Sequence, residues 1–476
     1  MIASARLFRA ALAAVVLSSG GGSALAQDAE TIRTAEALRD RAMEEGTIAY
    51  SVVEQITTRF GPRLAGTEAE RRAAEWGSDY LASLGLSNVA IQDFPLAVWR
   101  RQAERVEIVG AWRQPLVATA LGGSPATPAD GIEAEAVVFE TYQDLLDAAP
   151  GSLTGKIAVV LQDTIRAQDG RGYGATSPIR GSGPVEAANR GAVGFVLRSL
   201  GTHDHRFAHA GATRWSDTPI PSFAISPPDA DQIRRIQEIG GEPLRLRLFS
   251  QVSVEPSGRS QNVIAEVRGT EAGEEVIVIG GHLDSWDLGT GTIDDAAGVA
   301  ITTAALHMIN QLPERPRRTI RVVWWGSEEV SQPGGQGLSG AFAYARSQDG
   351  EIENHVVASE SDFGAGPVYA LSLPEVAANS DFQRAAMRVL TPLGVVWDAT
   401  PARGGGPDTV PLNQAGVPSF RLAQDGSDYF NFHHTADDVL DRVDPENLDQ
   451  NVAAWAALLW LIANSDVDFR AAPAAE

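Results

Sequence analysis

The sequence predicts an α/β protein whose central sheet is covered by helices and which carries a β-rich insert. Two contrasting patterns predict it. From about Gln261 onward, the strongly apolar runs QNVIAEVRG, EEVIVIGGHLDS and TIRVVWWGSEE alternate with helical segments such as AAGVAITTAALHMINQL. Strands that are apolar along most of their length, with helices between them, belong to a sheet buried on both faces. Upstream, RVEIVG, EAEAVVFE, GKIAVVLQ, GAVGFVLRS and IPSFAIS are short strand-like runs set apart by Gly, Pro and Asp clusters, with PVEAANRG a helix among them.

The elements follow in chain order. Arg6 and Arg9 precede the apolar run ALAAVVLSS, and Ala24-Leu25-Ala26 fits a small-x-small cleavage site. Residues 1–26 therefore read as a signal peptide, because the run is about half the ~20 residues a membrane span needs. This predicts an exported protein, periplasmic or secreted. Helical spacing covers about Glu30 to Phe60 and GPRLAGT breaks it. A further helix should open at Thr67, where Thr67 and Glu70 have capping-box spacing. The strand NVAIQDFPL follows. The expected division is residues 27–104 and 256–470 as two parts of a main domain, with residues 105–255 inserted between them.

Bulk properties exclude several classes. At 476 residues the chain exceeds one compact core. A net charge of −23 would repel phosphate, which argues against nucleic acid and anionic membranes as partners. There is no cysteine, so disulfides, thiol catalysis and Cys-based metal sites are ruled out. Any metal must be held by His, Asp and Glu.

Residues of that kind gather at the strand ends of the second α/β part, where open sheets bind ligands. In EEVIVIGGHLDSWD, His282 and Asp284 are two apart and share one side of an extended chain, a His ligand with an orienting acid. Asp294 and Asp295 precede a helix; one of them fits a helix cap, and a carboxylate can bridge two cations, the role expected of Asp294. Glu328 and Glu329 emerge from an apolar strand, where two uncompensated acids would be costly. A dication would relieve one of them and leave the other as a base towards a metal-bound water. Asp362 follows HVVAS, and His433 and His434 stand before a further helix.

The order His-x-Asp, Gly-x-x-Asp, Glu-Glu, Glu-Ser-Asp and His-Thr-x-x-Asp resembles the two-zinc aminopeptidase and glutamate carboxypeptidase family. GGHLDSWDLGTGTIDD and FHHT are most similar to one carboxypeptidase branch of it, and GPRLAGT, AANRGAVGFVLRS and NQAGVPS extend the likeness over nearly the whole mature chain. The resemblance implies a zinc-peptidase fold of the phosphorylase/hydrolase type, with a mixed sheet and a protease-associated insert at 105–255. It implies two zinc ions, one held by His282 and Asp362, the other by Glu329 and His434, with Asp294 between them. Glu328 matches the general base and Asp284 the acid that orients His282. His433 stands where some relatives have an oxyanion-supporting Tyr, with Tyr429 as the fallback. Arg403 and Asp408 lie in a loop that resembles a substrate-side loop.

The function expected is hydrolysis of dipeptides or short peptides by an exopeptidase, with no membrane span and a homodimer implied by the resemblance. The alternative is a receptor-like binding protein of the same architecture that has lost catalysis; such a loss should show as missing ligands. A second His cluster, His203, His205 and His209, lies in the insert and reads as a surface loop or a flank of the site.

Overall fold

The computed structural model describes residues 29–471, and the expected signal peptide lies outside them. The chain opens with three helices, Ala29–Glu45, Ala49–Phe60 and Glu68–Ser83. Thr67 caps the third, its hydroxyl accepting the Glu70 N–H at 3.4 Å. The reciprocal half of the capping box does not form. The buried Glu70 carboxylate instead accepts from the Gly66 N–H at 2.6 Å and the Ser260 hydroxyl at 2.5 Å. Tertiary partners have taken the side chain that the spacing assigned to the cap.

The central sheet is large and mixed. Strand Ala272–His282 lies between His355–Glu360 and Arg318–Trp325, parallel to both. Arg318–Trp325 then pairs antiparallel with Arg245–Val267. Burial alternates as a two-faced sheet requires. Ile277, Ile279, Val322 and Trp324 pack into the core formed with helices Ala297–Asn310 and Pro445–Ala463. Their neighbours Val276, Val278, Val323 and Trp325 pack on the opposite face, against helix Ser339–Ser347 and Leu412. The three parallel strands therefore end along one edge, bringing His282, Trp325 and Glu360 to the same rim.

The runs NVAIQDFPL and RVEIVG are one strand, Ser87–Val109, paired antiparallel along Arg245–Val267. The intervening polar stretch stays in the ladder because its charges find partners. Arg100 pairs with Glu255 at 3.1 Å, and Arg101 is held by Asp287. Both expected boundaries of the insert fall inside this ribbon, which runs across them without a break. Beyond it, strands Ile132–Phe139, Ile157–Val160, Gly194–Arg198 and Ser222–Ile225 lie parallel in that order and carry cores on both faces. The helix expected at PVEAANRG begins much earlier, spanning Arg171–Asn189 with Pro178 and Pro184 inside it. Interior prolines mask a helix from sequence reading, since they normally break one.

Candidate metal centre

Each candidate ligand is delivered by a backbone feature at the sheet edge. His282 ends its strand directly beside Trp325. Glu328 and Glu329 follow that neighbouring strand, and Asp362 lies two residues past Glu360. Asp294 sits in the turn Thr292–Ala296 that enters helix Ala297–Asn310. The strand must lie very close to this helix. A Cβ at Gly281 would stand 2.5 Å from the Val299 nitrogen, so only glycine fits there. His434 follows the short helix Tyr429–Phe432 with φ of 62°, in the left-handed region.

The side chains converge on Asp294. Its Oδ1 lies 3.0 Å from His282 Nε2, and its Oδ2 lies 3.0 Å from His434 Nε2. His434 Nε2 is also 3.0 Å from Glu329 Oε2, and Asp362 Oδ1 lies 3.6 Å from His282 Nε2. Among the described residues, three groupings bring ligand atoms within 4.8 Å of one another: His282, Asp294 and Asp362; Asp294, His433 and His434; and His282, Glu328 and Glu329.

Neighbouring acids that look alike in sequence have separate tasks. Asp295 accepts from the Gly298 N–H at 3.0 Å, capping the helix, and from the His282 N–H at 2.9 Å. Its partner Asp294 is thereby left to face the histidines. Asp284 meets His282 through its backbone carbonyl, 2.8 Å from Nδ1, while its carboxylate Oδ1 is 3.7 Å away. That carboxylate instead accepts from the backbone N–H groups of Glu328 and Glu329, at 3.0 and 3.3 Å. Asp284 thus orients the histidine with its main chain and the glutamates with its side chain.

Two further supports went unread in the sequence. Trp286 is buried and donates its indole N–H to Glu329 Oε2 at 2.6 Å. Arg63, from GPRLAGT, is fully buried and donates to the carbonyls of Leu283, Thr290 and Gly291 at 2.8, 2.7 and 2.9 Å. Burial lowers its guanidinium to about 10, so it stays charged at neutral pH. Arg63→Met removes a donor from each of those buried carbonyls, with only Gly291 keeping another, the Ala296 N–H at 3.2 Å. A loss of about 3 kcal/mol is expected, read as a lowered urea midpoint.

The donor set fits a metal such as zinc, which takes imidazole nitrogen and carboxylate oxygen. Asp294 Oδ2 is buried and has no hydrogen bond, although His434 Nε2 is only 3.0 Å away, a geometry suited to sharing a cation. Glu329 Oε1 is likewise buried without a partner. Burial raises the Glu329 carboxyl to about 7, and burial together with Glu329 raises Glu328 well above the ordinary range. Bound dications would reverse both shifts.

A cleft of about 330 Å³ opens onto this cluster. Glu328, Glu329, Asp294, Asp362, His433, His434 and Tyr429 all line it. Arg403 and Asp408 do not. Arg403 is exposed on its loop, and Asp408 is fully buried behind the site, its N–H bonded to Glu360 Oε2 at 2.7 Å. Helix Arg171–Asn189 instead supplies Tyr173 and Arg180 to the lining. Arg180 is the one Lys or Arg among the lining residues, and nothing in its local sequence marked it.

The pattern of "Peptidase family M28" matches residues 262–459. Carboxypeptidase Q of Rattus norvegicus is 31% identical, the match covering 88% of this chain and 85% of that protein. The solved structure of a peptidase M28 precursor from Shewanella amazonensis is 44% identical, with a TM-score of 0.88, covering 93% of this chain and 98% of that one. A zinc aminopeptidase from Bacillus subtilis shares the fold at 20% identity, with a TM-score of 0.63 over 87% of this chain and 95% of that one. Fold and relatives together define a metallo-exopeptidase. More narrowly, the chain belongs to peptidase family M28.

Proposed function

We propose that the chain is an exported dinuclear zinc exopeptidase that hydrolyses dipeptides or short peptides. The observation that carries this reading is Asp294, whose two oxygens each approach a different histidine, His282 and His434. His282 and Asp362 would hold one zinc, Glu329 and His434 the other, with Asp294 shared between them. When bound, the metal supplies a Lewis acid that polarises the scissile carbonyl and acidifies water. Glu328 lines the cleft, and its backbone is fixed by Asp284. It takes a proton from the attacking water and passes it to the leaving amine. Tyr429 and His433 stand at the same wall as donors for the developing oxyanion; burial raises the Tyr429 hydroxyl well above its usual range, so it keeps its proton.

Residues 105–255 are read as a protease-associated insert that closes one side of the cleft through Tyr173 and Arg180. Export rests on the leader motif, and the homodimer on the family resemblance; light scattering of the purified chain checks the latter. No helix among the described residues is long and apolar enough to cross a membrane.

Arg180 suits a substrate carboxylate, since a guanidinium pairs with one in fork geometry. Hydrolysis of free, N-blocked and C-amidated dipeptides tests the whole reading. Free dipeptides should be cleaved and C-amidation should weaken binding. Arg180→Met should raise KM about tenfold or more for free-carboxylate substrates and leave amidated ones little changed. Equal loss on both substrate types would remove the carboxylate role, and no cleavage of any dipeptide would remove the peptidase reading.

A further inference from the structure

Two cavities meet at one aromatic wall. The cleft of about 330 Å³ over the metal cluster has Phe363 and Tyr429 in its lining. The same two residues line a second cavity of about 340 Å³, and they are the residues common to both. None of the metal-ligand candidates lines the second cavity; Asn447, in the first turn of helix Pro445–Ala463, is one of its other walls. Phe363 directly follows Asp362, so the wall begins beside the metal cluster.

Both rings of the wall are seated on bare backbone. A Cβ at Gly170 would stand 2.7 Å from Phe363 Cζ, and one at Gly426 would overlap the same edge of the ring. Phe363 also packs against Tyr429 and Phe430, with ring centroids 5.0 and 5.7 Å away. A Cβ at Gly364 would come within 2.8 Å of Tyr429 Cδ2. The seats themselves are tied down. The Gly426 N–H donates to the Gln168 carbonyl at 2.9 Å, and the Gln424 amide donates to the Gly364 carbonyl at 2.8 Å.

Packing alone does not explain where this ring stands. Phe363 is half-buried with open space on the cleft side and in the second cavity, so it gives up part of the contact a core phenylalanine would make. Its position makes sense as a boundary. A substrate side chain that points at the ring from the metal cleft ends there, and a longer one overlaps it.

We propose that Phe363 is a specificity-determining residue, closing the metal cleft against the second cavity and limiting the size of the substrate side chain on that side of the scissile bond. This rests on the metallopeptidase reading above. The substrates it favours are short peptides with a small side chain at the position facing Phe363, and the second cavity is the space that opens when the ring is removed.

The test uses zinc-loaded Phe363→Ala and two series of free dipeptides. In one series the first residue is Ala, Leu, Phe or Trp and the second is Ala; in the other the order is reversed. The quantity read is kcat/KM for each peptide divided by that for Ala-Ala, which a uniform loss of activity does not move. In the series whose variable residue meets the wall, the ratio for Trp is expected to rise about tenfold or more over wild type, with zinc content unchanged. Asn447→Trp, which refills the second cavity from another side, should leave the ratios of the wild-type background alone and cancel most of the gain in Phe363→Ala.

Unchanged ratios in both series would overturn the proposal, even if every rate fell. A gain that survives Asn447→Trp would overturn the part given to the second cavity. If Phe363→Ala fails to fold, Phe363→Leu takes its place with a smaller rise for Phe and Trp, and unchanged ratios there would also overturn it. Zinc-loaded wild-type protein that cleaves no dipeptide would remove the peptidase reading instead, so the two failures are distinguishable.

Discussion

Glu328→Gln is expected to keep its metal and lose turnover by about 10²–10⁴-fold, the usual contribution of a positioned general base. The amide has nearly the volume of the acid and cannot accept a proton. The backbone around it should not move, because the Glu328 N–H bonds to the Asp284 carboxylate and does not depend on the Glu328 side chain. KM should change little, since the substitution touches proton transfer and leaves the cleft wall in place. Elemental analysis beside steady-state kinetics reads both quantities. Near-normal kcat in a metal-loaded variant would remove Glu328 from the base role, and loss of metal would recast it as a ligand.

Asp294→Ala has the opposite signature. Asp294 is the group whose two oxygens approach His282 and His434, so its removal opens both halves of the cluster together. Metal content should fall from two per chain to one or none, with activity lost in parallel and only partly restored by added zinc. The fold should survive, because the helix entry is capped by Asp295 and the preceding turn is held by Asp438, whose Oδ1 accepts from the Thr292 and Ile293 N–H groups at 2.8 Å. An Asp294→Ala protein that retains two zinc ions would eliminate the shared-ligand assignment.

The contrast between these variants bears on how far the site was readable in the sequence. His282, Glu328, Glu329 and Asp362 were legible because they follow apolar runs, and Asp294 and His434 because their acid and His pairs stand before helical segments. The supports were not. Trp286 binding Glu329, Arg63 binding three carbonyls and Asp284 bonding the Glu328–Glu329 backbone are contacts between segments far apart in the chain. Arg403 and Asp408 were placed by likeness of their loop, yet the fold leaves one in solvent and buries the other. Arg180 was invisible for the converse reason, since it lies in a proline-containing helix with no amphipathic signal and gains its meaning only where that helix meets the cleft.

The fold shows the same division. The parallel strands and their covering helices follow from apolar runs and helical spacing. The 23-residue strand Ser87–Val109 was read as two pieces because WRRQAE is polar, and only its pairing with Arg245–Val267 shows it to be continuous. That ribbon joins the two parts of the sheet, since Arg245–Val267 pairs with both Arg318–Trp325 and Ile132–Phe139.

Metal content measured together with turnover shows whether this site holds two zinc ions and hydrolyses a peptide bond. Purified wild-type protein should carry about two zinc ions per chain, lose cleavage of a free dipeptide on chelation, and regain it when zinc is returned. Protein that binds no zinc and cleaves no dipeptide after zinc is restored would contradict the account and favour a binding protein of the same architecture.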